Sequence, residues 1–154
     1  MKLRVILLTL AAFFVSVTVC SAQNAHMGTW KLNEAKSKIG PGAPKNSTVV
    51  YEAAGDSIKV TVDGVDGEGN PTHSEWTGKF DGKYYPVTGD PNSDTRAYRK
   101  INNHTLALTG KRGGKITLSG RIVVSANGRT RNVTTTVTNA QGKKVTNRAV
   151  YDKE

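Results

Sequence analysis

The chain has a single cysteine, Cys20, and the segment that carries it is expected to be removed. Met1-Lys2-Leu3-Arg4 is a basic start, Val5 to Val19 is an apolar run without a charge, and Ser21-Ala22 supplies small residues for a signal peptidase. Residues 1–22 therefore read as a signal peptide, with the mature chain, residues 23–154, starting at Gln23 and bound for the periplasm or the medium. That chain would have no thiol. Disulfides, thiolate metal sites and a cysteine nucleophile are excluded, although the compartment would permit bridges. The alternative, a lipoprotein acylated at Cys20, is opposed by Val19, where a small residue is usual. A spanning helix needs about 20 apolar residues and the run is shorter, so no membrane span is expected.

Catalytic groups are equally scarce. The three histidines, His26, His73 and His104, lack the paired spacing of a zinc site. His26, near the new N-terminus, and His104, beside a turn, are expected at the solvated surface. His73 and Glu75 share one face of a strand and could pair as base and orienter, but no serine elbow stands nearby to use them. Two acidic loops resemble calcium loops in part. Asp90-Pro91-Asn92-Ser93-Asp94 has oxygen groups at alternate positions, yet Thr95 and Ile101 stand where glycine and a bidentate glutamate are needed. The run from Asp63 to Asn70 has three carboxylates at an unsuitable spacing, and turn chemistry explains both loops. No catalytic residue, metal or cofactor is assigned, and the chain reads as a non-enzyme.

Charge is abundant but unevenly placed. Residues 23–94 carry seven lysines against ten acids, whereas residues 95–154 carry thirteen Lys and Arg against only Asp152 and Glu154. Outward basic residues can serve solubility and edge protection, or attract an anionic surface or polysaccharide. Arg121, Arg129, Lys143 and Lys144 are the candidates for the second role, as part of a basic stripe on the outer wall of the last three strands. The basic half has only Tyr98 and Tyr151 to stack bases, and export removes the chain from intracellular nucleic acid.

Short runs rich in Thr, Val, Ile and Tyr are broken every eight to twelve residues by turn signals such as Gly55-Asp56, Asp81-Gly82, Gly113-Gly114 and Asn127-Gly128. Strands are predicted at 27–32, 47–54, 57–63, 72–80, 83–87, 94–101, 104–110, 115–125, 129–138 and 143–152. Ile58, Val60 and Val62 form one apolar row, and Ile116, Leu118, Ile122 and Val124 another, with Gly120 leaving room for a bend or a close approach. So long a meander closes on itself or folds into two sheets. Helix is nearly absent: Asn33 can cap one turn before Gly40-Pro41-Gly42-Ala43-Pro44 stops it, making a plug, a lid or a plain connection.

The opening Met27-Gly28-Thr29-Trp30-Lys31-Leu32, the succession of hairpins and the basic-aromatic last strand, Val145 to Lys153, resemble the calycin group, meaning lipocalins and fatty-acid-binding proteins. Phe80-Asp81-Gly82-Lys83-Tyr84-Tyr85-Pro86-Val87-Thr88-Gly89 and Ala140-Gln141-Gly142, with the Ala149-Val150-Tyr151 ending, are similar to stretches of small exported bacterial proteins described only as hypothetical or lipocalin-like. The resemblance implies an all-β, antiparallel up-and-down barrel of about eight to ten strands. It also implies closure of the barrel base by Gly28 and Trp30, with Arg148 against the indole. Two features depart from the fatty-acid-binding pattern. Residues 33–46 are too few for a helix-turn-helix lid. Arg148 and Tyr151 are three apart and so point to opposite faces, while Arg96 and Tyr98 have the i, i+2 spacing on a middle strand.

The expected function is non-catalytic binding of a small apolar or amphipathic ligand inside a monomeric barrel. Tyr51, Trp76, Phe80, Tyr98, Leu106 and Leu108 are the interior candidates, with Arg96 or Arg131 as anchor. A hollow barrel should hold a cavity of roughly 300 Å³ or more. The alternative is a filled core whose basic half binds an anionic surface.

Overall fold

The computed structural model describes residues 24–138 and 141–154; residues 1–23, which include the segment expected to be a signal peptide, and residues 139–140 lie outside the described residues. Ten strands run in chain order, β1 Gly28–Leu32, β2 Lys45–Ala54, β3 Ser57–Val65, β4 Pro71–Gly78, β5 Tyr85–Thr88, β6 Thr95–Asn102, β7 Thr105–Arg112, β8 Lys115–Val124, β9 Thr130–Thr138 and β10 Lys144–Lys153. Each pairs antiparallel with its neighbours in sequence, and β1 pairs with β10 to close the barrel. Closure leaves no free sheet edge. β5 is the thin seam, with two residue pairs to each neighbour.

Side chains alternate between barrel interior and solvent. Val60 and Val62 on β3, Leu106 and Leu108 on β7, and Ile122 and Val124 on β8 are buried, as their parity predicts. Ile116 departs from its row: it is 60% exposed. The register slips between Gly110 and Lys111, whose partners are Leu118 and Ile116, so Thr117 is bulged out and the strand turns beyond it. Thr117 then donates its hydroxyl to the Asn92 carbonyl at 2.6 Å.

Gly28 is required by its backbone conformation and Gly120 by a close approach. Gly28 has φ +106, and a Cβ there would stand 3.0 Å from Lys153 Cε. At Gly120 a Cβ would fall 2.4 Å from the Thr134 carbonyl oxygen, so the bare backbone is what lets β9 lie close.

The barrel has two ends. One holds the turns 55–56, 103–104 and 125–129 together with both ends of the described chain, and is called the base. The other holds residues 33–44, the turns 66–70, 89–94 and 113–114, and residues 141–143. There the link from β1 to β2 makes one 3-10 turn, Glu34–Lys36, capped by the Asn33 side chain on the Lys36 N–H. It continues as a strap along β10: Lys38 and Arg148 exchange backbone hydrogen bonds of 2.7 and 2.9 Å, and Gly40 N–H donates to Asn147 Oδ1 at 2.9 Å.

Candidate functional site

The base half of the interior is filled. Trp30, Trp76 and Leu106 are at most 1% exposed, and each indole N–H has a carbonyl partner at 2.9 Å, His26 for Trp30 and Arg96 for Trp76. Trp76 lies edge-on to Tyr98 with centroids 4.7 Å apart, and Phe80 packs on both rings. These three side chains seal the floor, so Trp76, Phe80 and Leu106, expected as interior residues, are inside but do not line free space.

Three placements differ from expectation. His26 is 1% exposed rather than solvated. It packs edge-on against Phe80, and burial, followed by the charge of Arg131, lowers its pKa to about 4. Its position two residues before Gly28 tucks it beneath the barrel floor. His104 is half-buried, with Nδ1 enclosed. Arg148 is not the cation over Trp30. Its parity on β10 turns it to solvent, where Nη2 donates to Asn132 Oδ1 at 3.2 Å. Trp30 is instead flanked by Lys153, its register partner on β10, and by Arg131 from β9, at 5.2 and 5.7 Å from the ring centroid.

Above the floor lies a cavity of about 120 Å³, lined by Tyr51, Arg96, Tyr98, Leu108, Arg131, Asn147 and Tyr151 among others. This is less than the volume expected of a fully hollow barrel, because the aromatic floor occupies the lower half. A second space of about 110 Å³ beneath the strap shares Pro44, Asn92, Val137 and Asn147 with the first. The strap thus roofs the cavity in place of a helical lid.

Two arginines face this space, in opposite electrostatic conditions. Arg96 is neutralised: Nη2 donates to Asp90 Oδ2 at 2.6 Å, with both side chains under 10% exposed, and Nη1 donates to the Tyr98 hydroxyl at 3.3 Å. Burial alone would lower its pKa, but Tyr98 and Asp90 outweigh it and the group is held above its ordinary value. Asp90 is fixed further by the Ser93 hydroxyl. The loop read as half of a calcium site therefore spends its first carboxylate on Arg96. In the other acidic loop, Asp66 accepts from the Glu68 and Asn70 N–H groups, which is turn chemistry.

Arg131 is 3% exposed and has no acidic partner among the described residues. Its guanidinium carbon stands 4.9 Å from the Tyr51 ring centroid and 5.1 Å from that of Tyr151. Its Nε and Nη1 have no hydrogen-bond partner among the described residues. Aromatic faces return about 0.5–2 kcal/mol each, against several kcal/mol to desolvate the ion. The tyrosine hydroxyls stay protonated, since burial raises the pKa of Tyr51 and of Tyr151 despite the opposing charge of Arg131. Tyr51 Oη makes no well-formed hydrogen bond, although the Tyr98 hydroxyl is close enough to couple to it. Asp90 is the one carboxylate in the cavity wall and is taken, so the site holds an uncompensated positive charge beside unpaired donors.

The sequence reading missed Tyr151, Asn147 and Asp90 as members of this wall. Tyr151 had a usable signal, because it faces inward whenever Arg148 faces out. His73 lies outside the barrel, its Nδ1 2.6 Å from Asp63 Oδ1 and its Nε2 3.5 Å from Glu75 Oε1. These carboxylates raise its pKa. The pair has no access to the cavity. Among the described residues no cluster of three His, Cys, Asp or Glu is placed to hold a metal. No helix of the described residues is long and apolar enough to cross a membrane.

No family model matches the sequence, and no curated protein does. Among solved structures the barrel is similar to a Schistosoma mansoni fatty acid binding protein in complex with arachidonic acid. The match has a TM-score of 0.55 at 16% identity, over 84% of this chain and 96% of that one. At that identity the likeness establishes the fold alone: a closed ten-stranded antiparallel barrel like that of the fatty acid binding protein.

Proposed function

We propose that the chain is an exported, non-catalytic carrier of a small amphipathic anion, held by its acid group on Arg131 and by its apolar part among Leu108, Leu118, Ile122 and Val133. The observation that carries this reading is the buried, unpaired Arg131 at a cavity wall. A buried cation with free N–H groups is satisfied best by a carboxylate or similar acid, through charge-assisted hydrogen bonds. Tyr51 Oη, also unpaired, offers a further donor beside it. The Asp90–Arg96 pair supplies polarity without net charge and fixes the loop between β5 and β6 at the cavity wall. A cavity of about 120 Å³ suits a compact ligand. Longer chains would have to displace the strap.

Calorimetric titration with hexanoate and decanoate against the matching alcohols tests this. The acids should bind about tenfold or more tightly than the alcohols, since a hydrogen bond to a charged group contributes about 1.5–3 kcal/mol. Equal affinities, or none, would sink the reading. Export rests on the basic start, the apolar run and Ala22. Intact-mass measurement of the secreted protein should give Gln23 as its first residue, and a retained run or acylated Cys20 would overturn it.

A further inference from the structure

From Thr95 to Tyr151 the sequence has no Asp or Glu but twelve Lys and Arg. Only the strand register shows how the outward members line up. Arg99 on β6 is level with Ala107 on β7, Ala107 with Arg121 on β8, Arg121 with Thr134 on β9, and Thr134 with Arg148 on β10. The strap extends the line, because Lys38 bridges to Arg148. The result is a row across the strands in which arginine alternates with a small residue. The four basic members are exposed, and none is in an ion pair among the described residues. Asp81, opposite Arg99, bounds the row at its far end. Adjacent strands are about 4.8 Å apart, so Arg99, Arg121 and Arg148 follow one another at about 10 Å.

Two residues along strands β7 to β10 lies a second row, and there all of it is hydroxyl: Thr109, Ser119, Thr136 and Thr146 are successive register partners, and Ala97 continues the row on β6. The Thr136 and Thr146 hydroxyl oxygens are 3.1 Å apart. The surface therefore sets a line of spaced cations beside a line of neutral donors and acceptors. Neither row carries an aromatic or large aliphatic side chain.

We infer that this outer wall binds an acidic polysaccharide laid across strands β6 to β10, its acid groups on Arg99, Arg121 and Arg148 and its hydroxyls on the threonine row. Charge spacing separates this occupant from nucleic acid. A nucleic-acid strand carries a charge about every 3.4 Å and gains much of its affinity from stacking on aromatics, whereas this wall is sparse in charge and has none. A membrane surface would call for apolar side chains to enter the interface, and the rows lack them. A chain with one acid group per two sugars matches both the wide cation spacing and the hydroxyl line. The face is separate from the cavity, because Arg121 and Arg148 point away from it.

The test measures binding of hyaluronate, with one carboxylate per two sugars, of a lightly substituted dextran sulfate, with about one sulfate per two sugars, and of neutral dextran to the folded protein at low and moderate salt. Two triple variants carry the discrimination: Arg99→Gln/Arg121→Gln/Arg148→Gln on the row, and Lys115→Gln/Arg129→Gln/Lys144→Gln off it, with the same loss of charge. Both should keep the thermal midpoint, since all six side chains are exposed. The row variant should lose about tenfold or more in affinity for the acidic polymers and the other about threefold or less. Thr136→Val/Thr146→Val should weaken binding while leaving its salt dependence unchanged. Hyaluronate and the lightly substituted dextran sulfate separate carboxylate from sulfate as the acid, and binding of either supports the inference. Equal losses in the two triple variants would overturn it. So would no binding of either polymer at low salt, or equally tight binding of duplex DNA or phosphatidylglycerol vesicles.

Discussion

Arg131 on β9 and Tyr151 on β10 are direct cross-strand partners inside the barrel. Register, rather than sequence spacing, brings this arginine and tyrosine to one wall of the cavity. Tyr51 from β2 faces the same guanidinium, so three strands hold the cation that gives the site its charge.

Replacing Arg131 separates ligand binding from stability. Arg131→Met removes a buried, uncompensated charge and keeps much of the packing volume. The free protein should be as stable or more so, by up to about 4 kcal/mol, as when buried ions give way to apolar side chains. The preference for acids over alcohols should vanish. A large fall in the urea midpoint together with unchanged acid affinity would contradict the assignment.

Arg96 should behave in the opposite way. Arg96→Met strands Asp90 in a buried site and should cost about 3–5 kcal/mol. The double variant Arg96→Met/Asp90→Asn should recover a substantial part of that loss. Chemical unfolding of the three proteins completes the cycle, and additive losses would mean that the two groups are not coupled.

His26 makes stability fall on the acid side. Its folded pKa, about 4, is below the ordinary 6.5. The unfolded chain thus binds the proton first as pH drops, and the folded state loses stability from about pH 6.5 until it protonates near pH 4. The span corresponds to roughly 3 kcal/mol. His26→Phe should flatten this part of the profile. A wild-type urea midpoint that does not change between pH 7 and pH 4.5 would remove the basis for this prediction.

Gly120→Ala tests the close approach of β9 to β8. A methyl group 2.4 Å from the Thr134 carbonyl oxygen has to push backbone aside. Overpacking of this kind costs about 1–3 kcal/mol. A thermal midpoint equal to wild type would show that the strand pair can relax without loss.

The sequence by itself determined the strands and the direction of most side chains. Turn residues between β-rich runs placed all ten strands, and period-two parity sent Tyr51, Arg96, Tyr98, Leu106 and Leu108 inward because alternation is a local property of extended backbone. Tertiary structure decided what the local pattern does not contain. Which cation reaches Trp30 depends on the register of β1 against β10, and closure places Lys153 and Arg131 there while Arg148 stays outside. Ile116 escapes its row because a bulge at Thr117 breaks the parity that the sequence carries unbroken. His26 is buried because the segment before β1 folds under the floor. Asp90 reaches Arg96 only once the loop between β5 and β6 is in place, and that contact leaves Arg131 as the charge without a partner. The row of Arg99, Arg121 and Arg148 also spans strands, so it exists only when their registers are set against one another. Alternation is fixed residue by residue, whereas register and loop packing are fixed between segments distant in the chain.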